Sequence, residues 1–340
     1  MPILWPLVPL YAVGVRIKNA AFDSGIAKSR RLSYPVISVG NLSVGGAGKT
    51  PFVLLLAGLL KSRGWEVDVL SRGYGREDRS VARVSPSGSV DQFGDEPLMI
   101  ARHGIPVYVG ASRYDAGRLA EGEMTEIAGQ RSIHLLDDAF QHRKVERDVD
   151  IVLLDRGDLS EKMLPDGRLR ESLRSLERAD ICILRAEDAD LVPNVLARMR
   201  QTDPARVCIV ERQTIVPFAE TQPPTSPVLA FCAIGGPDGF FRSLEQAGIR
   251  LAGAVSFRDH HAYTTGDIAR LNQAASRHGA ATFVTTEKDS MRLTENLRAA
   301  LELPLVISEL RVVLQNEAAA LNTLESLLAE KSQRSPRGVR

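Results

Sequence analysis

Aromatic residues make up only 5% of this chain of 340 residues, and cysteine occurs only three times. Cys182, Cys208 and Cys232 are far apart and lie in apolar runs, which predicts reduced core residues and excludes a disulfide framework or a zinc-ligand spacing. An excess of basic charge is missing too, since 43 Lys and Arg face 42 Asp and Glu. This balance argues against a dedicated nucleic-acid binder, so we expect no nucleic-acid partner.

The composition that is present is that of an ordinary globular protein, with 44% hydrophobic and 25% charged residues. It excludes wholesale disorder. The chain exceeds the roughly 250–300 residues at which one hydrophobic core stops growing, so two domains are predicted. Short apolar strands alternate with longer helical stretches, and the sequence contains no internal repeat. The alternation predicts an α/β fold with a doubly wound, mostly parallel sheet.

The predicted elements fall into two groups. The predicted strands are Tyr34–Gly40, Val67–Leu70, Val107–Val109, Ile133–Leu136, Ile151–Leu154, Ile181–Leu184, Val207–Val210, Val228–Ala233, Leu251–Phe257, Ala281–Thr285 and Leu305–Leu314. The predicted helices are Thr50–Lys61, Asp95–His103, Gly239–Gln246, Thr265–Arg277 and Glu317–Glu330. Residues 214–227 carry four prolines and predict a linker. We therefore expect a larger domain over residues 33–213, a smaller α/β domain over 228–330 and a basic tail over 331–340.

The beginning of the chain has an uneven charge distribution. Residues 1–15 carry no charged side chain, whereas residues 16–31 contain five basic residues and one acidic residue. The apolar run is shorter than the roughly 20 residues of a spanning helix. Prolines at positions 2, 6 and 9 interrupt it, and it lacks the basic start of a secretory signal. Two interpretations stay open: this segment packs on the core, or residues 1–32 associate with a membrane surface.

Residues 43–50 read SVGGAGKT and stand between a predicted strand and a predicted helix, which is the context of a phosphate-binding loop. Glycines let backbone N–H groups turn toward phosphate oxygens. Lys49 would bridge the terminal phosphates, and the Thr50 hydroxyl would hold Mg²⁺. Ser43 replaces the glycine that begins the standard pattern, and the alternative is a glycine-rich turn with a solvated lysine. The residues predicted to bind the nucleotide are Ser43, Val44, Gly45, Gly46, Ala47, Gly48, Lys49 and Thr50.

A phosphate loop needs a carboxylate at the end of a neighbouring strand to organise Mg²⁺. Asp137 and Asp138 follow one predicted strand in the stretch DDAFQH, and Asp155 follows the next. An acid after a strand is often only a cap or a turn residue. We favour Asp137 and Asp138 because Gln and His follow these two consecutive acids.

Other polar motifs belong to the same predicted edge of the sheet. Arg72 and Arg76 of SRGYGR are candidates for phosphate contacts, and the alternative is an ordinary polar loop. Asp95 of GDEP is either a helix N-cap or a carboxylate that accepts a hydroxyl proton. In the second half, DHH places His260 and His261 next to each other, where they point to opposite faces and are not expected to share a metal. A histidine there would pair with a carboxylate and strengthen it as a base.

Together the motifs resemble one family. SVGGAGKTP, SRGYGR, GDEP, DDAFQH, GRLRE, DHH and TTEKD occur in this order between residues 36 and 290. The set resembles tetraacyldisaccharide 4'-kinase, the lipid A 4'-kinase of Gram-negative bacteria. The resemblance implies a P-loop kinase that uses ATP and Mg²⁺ to phosphorylate the 4'-hydroxyl of a tetraacyldisaccharide 1-phosphate. It also implies a peripheral enzyme at the cytosolic face of the inner membrane, and no obligate protein partner is evident.

The resemblance implies roles for individual residues. Asp95 would be the base, paired with His260. Asp137 and Asp138 would organise Mg²⁺ and the transferring phosphate, with Lys49 on the phosphates. The residues implied to contact the phosphorylated sugar are Arg72, Tyr74, His142 and Arg170. Ala139 and Ala47 depart from the usual Gly and Thr of the family without removing a charged group.

Two other functions stay open at the level of sequence. A P-loop NTPase that acts as a switch or motor would hydrolyse nucleotide without a lipid acceptor. A nucleotide-binding membrane adaptor would bind nucleotide without turnover and would not need Asp95.

Overall fold

A computed structural model describes residues 7–45, 48–124, 131–217 and 227–334 of the protein. Its strands are β1 (Val36–Asn41), β2 (Trp65–Ser71), β3 (Ala82–Arg83), β4 (Val107–Val109), β5 (Arg131–Leu136), β6 (Val149–Leu153), β7 (Ile181–Arg185), β8 (Val207–Ile215), β9 (Val228–Cys232), β10 (Leu251–Ser256), β11 (Thr282–Thr286) and β12 (Leu305–Leu314). They form one sheet in the order β10-β9-β11-β12-β8-β7-β6-β1-β5-β2-β4-β3.

Helices cover both faces of this sheet. They are α1 (Val8–Asp23), α2 (Lys49–Ser62), α3 (Val90–Phe93), α4 (Asp95–Arg102), α5 (Arg113–Glu123), α6 (Val192–Met199), α7 (Pro237–Gln246), α8 (Thr265–His278), α9 (Glu287–Ser290), α10 (Glu295–Ala299) and α11 (Glu317–Arg334). Strand β1 is buried along its whole length, as expected for a parallel strand with helices on both sides. Within the described residues, only the pairs β3–β4 and β8–β12 are antiparallel. The predicted α/β fold with a mostly parallel sheet is confirmed.

The two halves of the chain are joined through the middle of the sheet. Strand β8 runs to Ile215, beyond the predicted end at Val210, and pairs with β12 from Val210↔Leu314 to Ile215↔Glu309. The predicted linker over 214–227 therefore begins too early, because its first two residues are paired in β8, and its residues 218–226 lie outside the described part. The domain bounds themselves remain predictions.

The last helix packs on the larger half. Leu324, Leu327 and Leu328 of α11 belong to the same core cluster as Val39 of β1 and Val53 of α2. The helix continues to Arg334, so the first four residues of the predicted basic tail are helical. Residues 335–340 of that tail lie outside the described part.

The first described residues form helix α1 although prolines interrupt the apolar run of the sequence. It begins at Val8 and places Pro9 in its first turn, where the missing N–H of proline costs no hydrogen bond. None of its residues is buried, and the Leu10 and Ile17 side chains are 71% and 65% exposed. Residues 8–23 therefore contribute no fully buried side chain to the core, and both interpretations of this segment stay open. In the described part of the chain, every helix is too short or too polar to cross a membrane.

The polar side of α1 contacts the larger half. The Tyr11 hydroxyl donates to the backbone oxygen of Arg170 at 3.0 Å, and Lys18 Nζ donates to that of Gln141 at 2.8 Å. An ion pair of 2.8 Å joins Arg143 to Asp23 at the end of the helix. These contacts tie α1 to the two segments that carry the DDAFQH and GRLRE motifs.

The cysteines match their prediction in two of three positions. Cys182 and Cys232 are buried, whereas Cys208 is only half-buried. Burial raises the pKa of the Cys208 thiol to about 11 and also raises the pKa of the Cys182 and Cys232 thiols, so all three are protonated near neutral pH.

Candidate active site

The site lies where parallel strands end. The loops that follow β1, β2 and β5 meet at one edge of the sheet because these strands run in the same direction. A cavity of about 1560 Å³ opens there and is lined by residues of both halves of the chain. The phosphate loop, the SRGYGR loop, the two acids of DDAFQH and the DHH stretch all contribute to its wall.

The phosphate loop leads into α2 as predicted, with Gly48 as the N-cap residue at a positive φ of 80°. Lys49 Nζ donates a hydrogen bond to Asn41 Oδ1 at 3.1 Å and lies 3.5 Å from Asp138 Oδ1. Thr50 is in the first turn of the helix and lines the cavity. The predicted loop residues Gly46 and Ala47 lie outside the described part. The described ones form a positively charged helix N-terminus that suits an anionic ligand.

Asp138 sits in a strained and highly charged position. Its φ is 46°, a value that non-glycine residues rarely adopt. Arg170 Nη1 donates to both carboxylate oxygens of Asp138 at 2.9 Å. The buried Arg113 guanidinium donates to the backbone oxygens of Asp137 and Asp138 at 3.0 and 3.2 Å. Strain held by such a network is typical of functional sites.

The two neighbouring acids differ in their proton affinity. Burial, together with the nearby charges of Glu96 and Asp138, raises the pKa of Asp137 to about 7. Burial acts in the same direction on Asp138, but Lys49 and Arg170 outweigh it and lower the pKa of that carboxyl. Asp138 is therefore ionised at neutral pH, and Asp137 is poised between its two forms in the absence of a further cation.

Asp155, the less favoured acid, has a different position. Its side chain accepts a hydrogen bond from the Asp158 backbone N–H at 3.1 Å and caps a short 3₁₀ turn over Arg156–Leu159. This is the cap role that the alternative interpretation of such an acid describes.

The GRLRE segment is held beside the phosphate loop by backbone hydrogen bonds. Val44 N donates to Arg168 O and Arg170 N donates to Leu42 O, both at 2.7 Å. Gly167 permits this packing because a Cβ there would collide with the backbone carbonyl of Lys162. The segment thereby brings the Arg170 side chain onto Asp138.

Asp95 comes from the larger half, and its partners come from the smaller half. Gly94 is the N-cap residue of α4, so the N-cap interpretation of Asp95 is wrong. His260 Nδ1 lies 3.2 Å from the buried Asp95 Oδ2, the Arg292 guanidinium also contacts this oxygen, and Lys288 Nζ lies at 3.8 Å. Burial alone would raise the pKa of Asp95, but His260, Lys288 and Arg292 lower it well below its usual range.

The histidines of DHH separate as predicted. His260 has a φ of 61° and faces Asp95, whereas His261 Nε2 lies 2.9 Å from Asp267 and its ring stacks on Phe257. Of the two histidines, only His260 lines the cavity.

The candidates for sugar contacts line the cavity. The Tyr74 ring lies 5.6 Å from the His260 ring and is 69% exposed. Burial and the charges of Arg113 and Arg147 lower the pKa of His142 to about 3, so its imidazole is neutral at physiological pH. Arg76 differs from Arg72, because its guanidinium donates to the Ser80 backbone oxygen at 2.7 Å instead of lining the cavity.

Sequence reasoning missed four charged residues of the site. Lys288 belongs to the TTEKD motif, for which the sequence predicts no role, and Glu96 belongs to GDEP. Arg113 and Arg292 lie in stretches without a motif, and only the folded chain brings them to Asp138 and Asp95. No signal in a single sequence identifies Arg113 and Arg292 as residues of the site.

Comparisons with known proteins agree with this geometry. Residues 1–329 match the family model described as Tetraacyldisaccharide-1-P 4'-kinase. The tetraacyldisaccharide 4'-kinase of Koribacter versatilis is 41% identical over 334 residues, with 96% of this chain and 99% of the relative covered. That of Geobacter metallireducens is 38% identical over 296 residues, with 83% and 86% covered.

A solved structure is similar over nearly the whole chain. The crystal structure of the "apo" form of LpxK from Aquifex aeolicus in complex with ATP has a TM-score of 0.74 and 30% identity, and it covers 96% of this chain and 98% of that one. Family, relatives and fold agree, and the chain therefore belongs to the tetraacyldisaccharide 4'-kinase family.

Proposed function

We propose that this protein transfers the γ-phosphoryl group of ATP to the 4'-hydroxyl of a tetraacyldisaccharide 1-phosphate in lipid A biosynthesis. One observation carries the proposal beyond the family match. The phosphate loop with Lys49 and the imidazole of His260 line a single cavity from opposite halves of the chain, and His260 lies 3.2 Å from the buried Asp95 carboxylate. A kinase needs this arrangement because the nucleotide phosphates and the acceptor hydroxyl have to meet between them.

In this mechanism the acceptor oxygen forms a bond to the γ-phosphorus while the bond from that phosphorus to the β-γ bridging oxygen breaks. Asp95, positioned by His260, accepts the hydroxyl proton. Lys49 and Arg170 offset the negative charge that spreads over the phosphoryl oxygens. The contact between the halves at Asp95 and His260 would limit the access of water, which competes with the acceptor.

The site also suits Mg²⁺. Asp137 Oδ1 is buried and accepts no hydrogen bond from the described residues, so it is a carboxylate oxygen with room for a ligand. The described residues contain no group of three or more His, Cys, Asp or Glu side chains that would form a cage. Mg²⁺ at kinase sites is typically bound by one or two carboxylates together with substrate phosphates. Thr50, Asp137 and Asp138 would hold the ion, which supplies charge neutralisation for the phosphates when bound.

We further propose that α1 lies on the cytoplasmic face of the inner membrane. Its apolar side chains are exposed, and basic residues follow them in the chain. This combination favours an interfacial helix over a spanning one. Its polar contacts with the segments that carry Arg170 and Gln141 would bring the cavity close to the lipid surface, where an acylated sugar resides.

The kinase proposal predicts transfer of label from [γ-³²P]ATP to a tetraacyldisaccharide 1-phosphate in the presence of Mg²⁺, with no comparable loss of ATP when the lipid is left out. The measurement is thin-layer separation of the labelled lipid. A switch or motor predicts steady ATP or GTP hydrolysis without lipid, and an adaptor predicts binding without turnover. Either of these two results, with no labelled lipid, would contradict the proposal.

The membrane proposal predicts that the Leu10→Glu/Ile17→Glu double variant binds vesicles of anionic phospholipid at least tenfold more weakly, since each change removes apolar area worth about 1.5–3 kcal/mol from the interface. Sedimentation with the vesicles gives the bound fraction. The matched control is Val313→Glu, because Val313 is also exposed but lies on β12. Equal binding by all three proteins would contradict the role of α1.

A further inference from the structure

The TTEKD motif and the residues after it form a charged seam against α4, which we define by two ion pairs. Lys288 Nζ lies 3.1 Å from Glu96 Oε1, and His103 Nε2 lies 2.7 Å from Glu287 Oε1. The two sides of the seam come from opposite halves of the chain. Asp95, the proposed base, lies at the inner end of this seam.

The seam surrounds Asp95 with cations. Arg292 contacts Asp95 Oδ2 and also lies 2.9 Å from His260 Nδ1, with its side chain only 6% exposed. Lys288 Nζ lies 3.8 Å from the same carboxylate oxygen and 3.3 Å from His260 Nε2. The charged or titratable groups that act on Asp95 are His260, Lys288 and Arg292. The groups next to these three residues are Glu96, Asp259 and Asp289.

Ionisation of the buried Asp95 carboxylate is unfavourable unless cations such as Arg292 and Lys288 lie beside it. The Asp95 side chain is 4% exposed, and burying an unpaired carboxylate disfavours its ionised form. A protonated Asp95 cannot accept a proton from a hydroxyl. His260 alone is a poor counter-ion because a histidine carries charge only when protonated. Arginine is charged at every working pH.

We propose that Arg292 and Lys288 are positioning residues that keep the buried Asp95 ionised. This inference rests on the proposed function and adds to it two residues that act through the base. His260 Nδ1 has two possible hydrogen-bond partners, because it either donates to Asp95 or accepts from Arg292. Arg292 therefore also influences which ring nitrogen of His260 carries the proton.

The sign of the pH dependence follows from these charges. With both cations in place, the pKa of Asp95 lies well below its usual range, so ionisation of Asp95 does not limit the rate at neutral or mildly acidic pH. Burial raises the pKa of Asp95, and removal of Arg292 takes away one of the cations that oppose this effect. The base then becomes protonated as the pH falls through the working range, and activity is lost on the acidic side.

The test is the pH profile of kcat/KM for lipid phosphorylation by the full-length protein between pH 5.5 and 9. For Arg292→Met we expect an acidic limb to appear within this range, where ionisation of Asp95 sets none in the wild type, and to lower the activity at the acidic end about tenfold further than at alkaline pH. Arg292→Lys keeps a cation and restores most of the wild-type profile. Lys288→Met changes the profile in the same direction, because the charge of this ammonium also lowers the pKa of Asp95.

The matched control is His103→Gln, which removes an ion pair of the same seam that does not touch Asp95. We expect it to leave the profile in place. A profile that does not move in Arg292→Met, or a uniform loss at all pH values that lysine does not rescue, would overturn the inference while leaving the proposed function intact. Failure of the wild type to phosphorylate the lipid at any pH would instead contradict the proposed function. Thermal unfolding of each variant identifies those that do not fold, and Lys288→Met then carries the test.

Discussion

Lys49→Met lowers kcat for phosphoryl transfer by on the order of 10³-fold, about 4 kcal/mol of transition-state stabilisation. Two effects combine. The ammonium that would lie against the terminal phosphates is lost, and Asp138 loses a cation that lies 3.5 Å from its carboxylate. Because Lys49 lowers the pKa of Asp138, the variant also holds this acid less firmly in its ionised form. A steady-state assay with saturating lipid measures the change.

The matched control for this variant is Lys61→Met. Lys61 lies near the other end of α2, is exposed and donates to the Gly104 backbone oxygen at 3.2 Å. Lys61→Met makes the same substitution in the same helix, but at a residue that does not line the cavity. We expect it to retain wild-type kcat. A rate for Lys49→Met within fivefold of that for Lys61→Met would show that the loop lysine does not act on the phosphates.

Asp95→Asn lowers kcat by roughly 10²–10⁴-fold, the range associated with loss of a general base. Asparagine has nearly the same shape but does not take up a proton, so KM for ATP changes much less than kcat. The substitution also leaves Arg292 and Lys288 without the carboxylate that they contact. We therefore expect some loss of thermal stability, which is measured alongside ATP binding.

Asp91→Asn is the corresponding control for Asp95→Asn. Asp91 lies in α3, one turn earlier in the chain, and its side chain is exposed. It should retain full activity. If Asp95→Asn still transfers phosphate within fivefold of this control while it binds ATP normally, Asp95 is not the base, and another group must accept the proton.

The sequence was sufficient to predict the strands of the larger half except the two-residue β3, because each of the others is a short apolar run between glycine or polar turns. The phosphate loop and the acids after β5 follow from strand direction: parallel strands deliver their following loops to one edge. Helix α5 escaped prediction for a physical reason. Its Gly117 weakens the helical pattern, yet a side chain there would overlap Leu32, so tertiary packing fixes a residue that local propensity disfavours.

The contacts that join the two halves were beyond reach of sequence patterns. Arg292 and Asp95 are 197 positions apart in the chain, and nothing in either local stretch predicts the other. The antiparallel pairing of β12 with β8 is of the same kind. The last strand region was predicted with its correct bounds, but an apolar run does not specify which strand lies beside it.

The packing of the last elements has a consequence for how the protein is made. Val312 and Leu314 of β12 and Leu324 of α11 lie in the core of the phosphate-loop half, although a ribosome produces them long after β1. That half consequently cannot complete its core while the nascent chain grows, and its apolar face stays open until residues 305–334 emerge. Domains of most large proteins fold one after another from the N-terminus. Here residues 305–334 close a core that begins with β1, so folding of the nucleotide-binding edge is coupled to the synthesis of those residues.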